Sequence, residues 1–154
     1  EIYTLSLHDA LPIFGRHRQE YVRTLEGIDW INDSKATNVN ALLHALSAVP
    51  GRIVLIAGGR DKGSDYSVLN PLLGEKVSVV VAIGEAKEKI CRAFEGVVPT
   101  VQAGTLEEAV CMARELARAG DTVLFSPGCS SFDMFEDFEE RGRLFKHYTM
   151  GLES

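Results

Sequence analysis

The run RIVLIA, Arg52 to Ala57, followed by Gly58-Gly59, decides the fold of this chain. After its leading arginine it is apolar at every position, with no alternation between apolar and polar. Such a strand has no face for water and needs cover on both sides, usually by helices. Val77 to Ile83 (VSVVVAI) repeats the form and ends at Gly84, and Thr122 to Phe125 (TVLF) repeats it before SPG. Between these runs the period changes. Val39, Leu42, Leu43, Leu46 and Val49 make the stripe of an amphipathic helix over Thr37 to Val49. Glu85 to Phe94 reads as a second helix. Thr105 to Ala119 reads as a third, opened by a T-x-x-E capping box at Thr105 and Glu108 and stopped at Gly120. A last helix is expected from about Asp133 to Tyr148. Upstream, Gln19 to Asn32 reads as two short strands around Glu26-Gly27. Strands alternating with helices predict an α/β fold: a doubly wound, mostly parallel sheet with helices on both faces.

The chain has 154 residues, the size of one ordinary domain. Apolar residues at 45% and charged residues at 25% give it globular composition. Its 16 Lys and Arg against 22 Asp and Glu leave a formal charge of -6, which argues against nucleic acid or an anionic membrane as partner. No apolar run is long enough to span a membrane. Cys91, Cys111 and Cys129 show no CxxC spacing, so a reduced, cytoplasmic chain without a zinc site is expected. His8, His44 and His147 have no metal-ligand spacing either, and no metal is assigned. Residues 1–14 (EIYTLSLHDALPIF) follow neither period and look like the translated adapter sequences found at the edges of assembled reading frames. They are expected to be foreign or disordered, with the domain running over 15–154. The far end, Met150 to Ser154, carries no stop signal, and a fragment of something longer is expected.

Three loops that follow strands are denser in polar residues than connectors need. NDSKATN, Asn32 to Asn38, puts two amides, Asp33, Ser34, Lys35 and Thr37 at the mouth of a helix. Thr37 is either its N-cap or a ligand contact, and Asp33 either a turn former or a functional carboxylate. Lys35 opposes the helix dipole and points to an anion. GGRDKGSD, Gly58 to Asp65, begins like a phosphate loop but lacks the closing Lys-Ser/Thr, so it is not one. It still offers Lys62, and Arg60 beside it, to a carboxylate or phosphate. SPGCSSFDMF, Ser126 to Phe135, offers Ser130 and Ser131, as caps or as anion donors, but not the elbow of a serine hydrolase. Asp133 and the series Phe135, Phe138 and Phe145 read as helix start and core. No nucleophile–base pair emerges. The loops are suited to binding anions.

HRQE (His17 to Glu20), WINDSKATN (Trp30 to Asn38), GGRDKGSD and SPGCSSFDMFEDFEERG (Ser126 to Gly142) occur in that order. Together they resemble the C-terminal domain of the Mur ligases, most of all its D-glutamate-adding branch, over about residues 15–150. Sister branches tend to show an aspartate-tyrosine-alanine-histidine run where NDSKATN stands. The resemblance implies a Rossmann-like domain of a cytoplasmic peptidoglycan ligase. In that reaction ATP phosphorylates the carboxylate of UDP-N-acetylmuramoyl-L-alanine, and the amine of D-glutamate attacks the acyl phosphate. By matching motif, Lys62 and Ser131 would hold glutamate carboxylates, assisted by Thr37 and the backbone near Phe138. Arg18 and Lys35 would reach phosphates, and Asn32 and Asp33 the nucleoside side. The family's P-loop, carbamylated lysine, Mg2+ ligands and uridine-nucleotide domain lie in two preceding domains, so these residues alone are expected to be inactive. Two other readings stay open: a sister ligase domain, including the folylpolyglutamate type, and an independent Rossmann-like binding module.

Overall fold

A computed structural model describes residues 15–153 of the chain; the expectation for 1–14 lies outside the described residues. The fold opens with β1 (Glu20–Leu25) and β2 (Ile28–Asn32), an antiparallel pair. Glu26 and Gly27 join them at φ of 56° and 80°, the left-handed pair that lets a two-residue turn follow the twist of the strands. Next come α1 (Val39–Ala48), β3 (Ile53–Gly58), a 3-10 turn (Tyr66–Leu69) and α2 (Asn70–Lys76). The chain continues through β4 (Val77–Ile83), α3 (Lys87–Ala93), β5 (Thr100–Gln102), α4 (Leu106–Leu116), β6 (Thr122–Phe125) and α5 (Phe138–Met150). Six strands form one sheet in the order β1-β2-β6-β3-β4-β5, and only the β1–β2 pair is antiparallel.

The unbroken apolar character of RIVLIA follows from this placement. All six residues of β3 are buried, and they alternate between two cores. Ile53, Leu55 and Ala57 pack with α1, α2 and α3, while Val54 and Ile56 face α4 and α5. In the second core Phe125 stacks on Phe145 at 4.8 Å between ring centres, beside the fully buried Trp30. Each such ring contributes about 2–3 kcal/mol by leaving water.

The structure departs from the sequence reading at the short elements. α2 and the 3-10 turn are additional, as is the three-residue β5. α2 carries Pro71 and Gly74 in seven residues and is held by the buried Leu73, a tertiary contact with no helical period to announce it. α4 starts at its Thr105 cap but ends at Leu116. Gly120 is not its stop, and instead sits in a later turn where its amide donates to the Gly27 carbonyl at 2.8 Å. α5 begins at Phe138 with Asp137 as N-cap, not at Asp133, whose carboxylate accepts from the Glu85 amide at 2.9 Å.

β6, the last strand in the chain, inserts between β2 and β3. The carboxyl ends of β2, β6 and β3 are therefore neighbours where the winding reverses, the position at which open α/β sheets place their ligands.

Candidate functional site

The loop after β2 turns inward. Asp33 continues the ladder by donating its amide to the Phe125 carbonyl at 2.7 Å. Its carboxylate accepts from the Gln19 amide at 2.9 Å and from the Ser126 hydroxyl at 2.6 Å. Burial pushes this carboxyl up to about 6, although Ser126, the Gln19 amide, Arg18 and His44 all favour its charged form. Asn32 is fully buried. Its carbonyl accepts from the Ser34 amide at 3.1 Å, which turns its NH2 group toward His17 Nδ1 (2.9 Å) and Glu20 Oε1 (3.1 Å). Nδ1 of His17 is thus an acceptor, and the ring proton sits on Nε2. Burial, then Lys146, lowers the pKa of this ring, against the pull of Glu20, and so favours its neutral form.

The same contacts seat the HRQE segment. The Lys35 amide donates to the His17 carbonyl at 2.8 Å, and the His17 amide to Glu20 at 3.1 Å. His17 and Gln19 stand at φ of 63° and 46°, so Arg18 projects from a segment strained on both sides, at a cost of about 1–2 kcal/mol per residue. The His17 ring lies so close to α5 that a Cβ at Gly142 would sit 2.1 Å from its Nδ1, which requires glycine there. The product is a cavity of about 270 Å³ lined by Arg18, Asp33, Lys35 and His44 among others. Arg18 and Lys35 are exposed and make no ion pair among the described residues. Two cations without an ion pair, beside a carboxylate held by hydrogen bonds, suit this cavity to an anion.

The loop after β3 is tied to the loop after β6. Gly58 donates to the Pro127 carbonyl at 2.9 Å and Arg60 to the Ser130 carbonyl at 3.0 Å. Gly59, at φ 146°, makes the approach possible, since a Cβ there would lie 2.5 Å from the Ser130 carbonyl oxygen. Lys62 stands exposed at the tip. Ser131 is buried, and its carbonyl accepts from Phe135 at 2.8 Å while its hydroxyl takes no partner among the described residues. Ser130 Oγ is likewise buried and unpartnered. α1 is capped by Asn38, whose side chain accepts from the Ala41 amide at 2.9 Å, so Thr37 is not the N-cap. Gly128 donates to the Ala36 carbonyl at 2.8 Å, which lays the Thr37 segment beside the loop after β6. Phe138 is the first residue of α5, whose opening amides have no carbonyl partner within the helix.

Arg18, Asp33 and Lys35 thus share one cavity. Asn32 does not line it, and neither do Thr37, Lys62, Ser131 and Phe138, which lie on the loops and helix start around the same end of the sheet. Sequence reasoning missed Arg141. Its Nε donates to Ser34 Oγ at 2.9 Å, Nη2 to the Ser34 carbonyl at 2.6 Å and Nη1 to the Cys129 carbonyl at 3.0 Å. It is 1% exposed without a carboxylate partner, and burial pushes its pKa down to about 10. The signal was its register, three residues after Phe138 and four before Phe145, on the inward face of α5. A charge on that stripe marks a tertiary bond.

Two cation-bearing loops and a hydroxyl-bearing loop meet at the winding reversal of a doubly wound α/β domain of the Rossmann type. Residues 17–129 match the family model of the Mur ligase, glutamate ligase domain. The chain belongs to the Mur ligase family. It is 67% identical over 136 residues to a UDP-N-acetylmuramoylalanine–D-glutamate ligase of Chlorobium limicola, covering 88% of this chain and 29% of that relative. The chain therefore spans under a third of the length of the curated relatives it matches. The fold is shared with a murein peptide ligase of Psychrobacter arcticus (TM-score 0.60, 13% identity, 90% of this chain and 31% of that one). It is shared as well with a MurF ligase of Thermotoga maritima in complex with ADP (TM-score 0.52, 17% identity, 88% and 31%). No helix among the described residues is long and apolar enough to cross a membrane.

Proposed function

We propose that these residues form the amino-acid-binding, ATP-closing domain of a cytoplasmic ligase that joins D-glutamate to UDP-N-acetylmuramoyl-L-alanine in peptidoglycan precursor synthesis. The observation that carries the reading is the meeting of the three polar loops at the ends of β2, β6 and β3, in a chain 67% identical to a D-glutamate ligase. ATP supplies the phosphoryl group that turns the muramoyl-alanine carboxylate into an acyl phosphate open to the glutamate amine. Lys62 and the Ser131 hydroxyl hold the carboxylates of glutamate, with the Thr37 hydroxyl and the Phe138 amide as further donors. A substrate that loses water on two carboxylates needs such fixed cations and donors in its place. Arg18 and Lys35 attract the phosphates, and Asp33 meets the nucleoside side. Asn32 acts from behind, holding His17 and Glu20 so that Arg18 keeps its aim. Mg2+ and the phosphoryl transfer itself fall to the other domains of the ligase, and the 154 residues alone turn over no ATP.

The test replaces the matching third of the Chlorobium limicola ligase with residues 15–154 and follows phosphate release with D-glutamate, L-glutamate and L-lysine. Release with D-glutamate alone is expected. Release with another amino acid only would move the domain to a sister ligase. In the same chimera Lys62→Ala costs about 2–5 kcal/mol in kcat/KM for D-glutamate, the scale for stranding a charged partner. An unchanged kcat/KM would sink the role given to Lys62.

A further inference from the structure

The Lys62 loop has an oddity that its role as a carboxylate site makes acute. The residue before Lys62 is itself a carboxylate, Asp61, partly exposed on the same loop. Left alone, Asp61 would compete for the Lys62 ammonium and repel an incoming carboxylate. The structure shows where that charge goes. Asp61 accepts from the Gly63 amide at 2.9 Å, closing a tight turn around Lys62. Lys89, from α3, donates to both of its oxygens at 3.3 and 3.2 Å, and the Tyr66 hydroxyl donates to it at 3.3 Å. Lys89 also lies over the Tyr66 ring, 5.4 Å from its centre. The Tyr66 oxygen meets Cys129 Sγ at 3.2 Å, so the set is anchored in the loop after β6. None of these groups is used by the binding scheme above.

We infer that Lys89 and Tyr66 are positioning residues for Lys62. They act through Asp61, whose charge Lys89 balances and whose carboxylate the two together hold away from the Lys62 ammonium. The inference rests on the reading of Lys62 as the glutamate carboxylate site. Its physical basis is that one ammonium cannot serve two carboxylates at full strength. Lys89 takes the resident one and leaves Lys62 for the substrate. Tyr66 fixes the direction of the pair from a buried ring, and Gly63 fixes the backbone.

The chimera described above tests this by a double-mutant cycle at Asp61 and Lys89. Lys89→Met raises KM for D-glutamate about 3- to 10-fold with kcat changed less than about 2-fold, as expected of one unit charge acting across a solvated site. Lys89→Arg, which keeps the charge, stays within about 2-fold of the parent. The combination Asp61→Asn with Lys89→Met also returns KM to within about 2-fold, since the carboxylate that Lys89 balances is gone with it. Raised salt shrinks the Lys89→Met defect. A double variant as impaired as Lys89→Met overturns the inference and makes Lys89 a packing residue over Tyr66. Lys62→Ala separates the two layers. If it leaves KM unchanged, the glutamate site itself is wrongly placed. If it raises KM while Lys89→Met does not, only the positioning inference fails. A readout on the 154-residue chain is independent of turnover. There the Asp61 carboxyl titrates below the ordinary aspartate range, because the Gly63 amide and Lys89 outweigh the desolvation that raises it. By carboxyl NMR its midpoint moves up in Lys89→Met, and a midpoint that stays put overturns the inference whatever the chimera does.

Discussion

The loops after β2 and after β3 each present one exposed lysine among small polar residues, Lys35 in NDSKATN and Lys62 in GGRDKGSD, yet they are built in opposite ways. In the first, Asn32, Asp33 and Ser34 are buried at 0%, 3% and 0% exposure, and every one of them is bonded to another segment. In the second, Asp61 to Asp65 stand half-buried or exposed, and Asp61 is held by the half-exposed Lys89 and by the loop's own Gly63 amide, with the Tyr66 hydroxyl as its one bond from a buried side chain. The buried loop is fixed before any ligand arrives, at the cost of strained backbone at His17 and Gln19 and a raised pKa at Asp33. The exposed loop is fixed by charges that salt and mutation can reach. One side of the site is therefore part of the fold, while the other is mounted on it.

The strongest way to break that contrast is Arg141→Met. Its guanidinium joins Ser34 in the buried loop to Cys129 in the loop after β6, and methionine leaves two buried carbonyls without donors. A loss of about 3–5 kcal/mol is expected, which lowers the Tm of a domain this size by about 10–15 °C. A thermal melt of the 154-residue chain reads it. A Tm within about 3 °C of the parent would mean that the buried loop is held by something else, and the contrast between the loops would lose its basis.

Asp33 sharpens the contrast through pH. Its folded-state pKa, about 6, lies above the ordinary 3.8. The folded state therefore holds the proton more tightly than the unfolded chain, and ionising Asp33 costs stability. The penalty is absent below about pH 4 and complete above about pH 6, where it amounts to about 3 kcal/mol. Asp33→Asn removes it while keeping an acceptor for the Gln19 amide. Urea unfolding at about pH 4 and pH 7.5 should show the variant gaining on the parent as pH rises. His17 has the opposite slope, since its pKa is lowered, but it is present in both proteins and cancels in the difference. Equal differences at the two pH values would mean that Asp33 is ionised in the fold at little cost.

How much of this was legible in the sequence depends on the distance over which each feature is decided. RIVLIA and VSVVVAI announce buried parallel strands because their whole environment is apolar, and Thr105 announces its helix because its partner, Glu108, is three residues away. The polar density of NDSKATN and SPGCSS pointed to the carboxyl end of the sheet, where the structure brings the two loops together. What Asn32 does was not legible. Its partners are 12 and 15 residues distant, and a turn of one dihedral angle separates a ligand contact from the inward bracket observed. The partners of Arg141 were hidden for the same reason, 107 residues back at Ser34, although its register on the inward face of α5 marked it as buried. The short elements α2 and β5 were missed because three to seven residues cannot display a period.

The smallest expected effect tests the other half of the comparison. Lys62 has no bond, ion pair or burial among the described residues, so Lys62→Ala removes nothing that folding supplies. Surface substitutions of this kind stay within about 0.5 kcal/mol, so the melt of the 154-residue chain should not move by more than about 2 °C. The same substitution is expected to cost several kilocalories in kcat/KM of the chimera, so stability and function separate at this residue as they cannot at Arg141. A Lys62→Ala chain that melts far below the parent would give the exposed loop a structural cation after all. The distinction between a site that is part of the fold and one mounted on it would then fail at the residue chosen to define it.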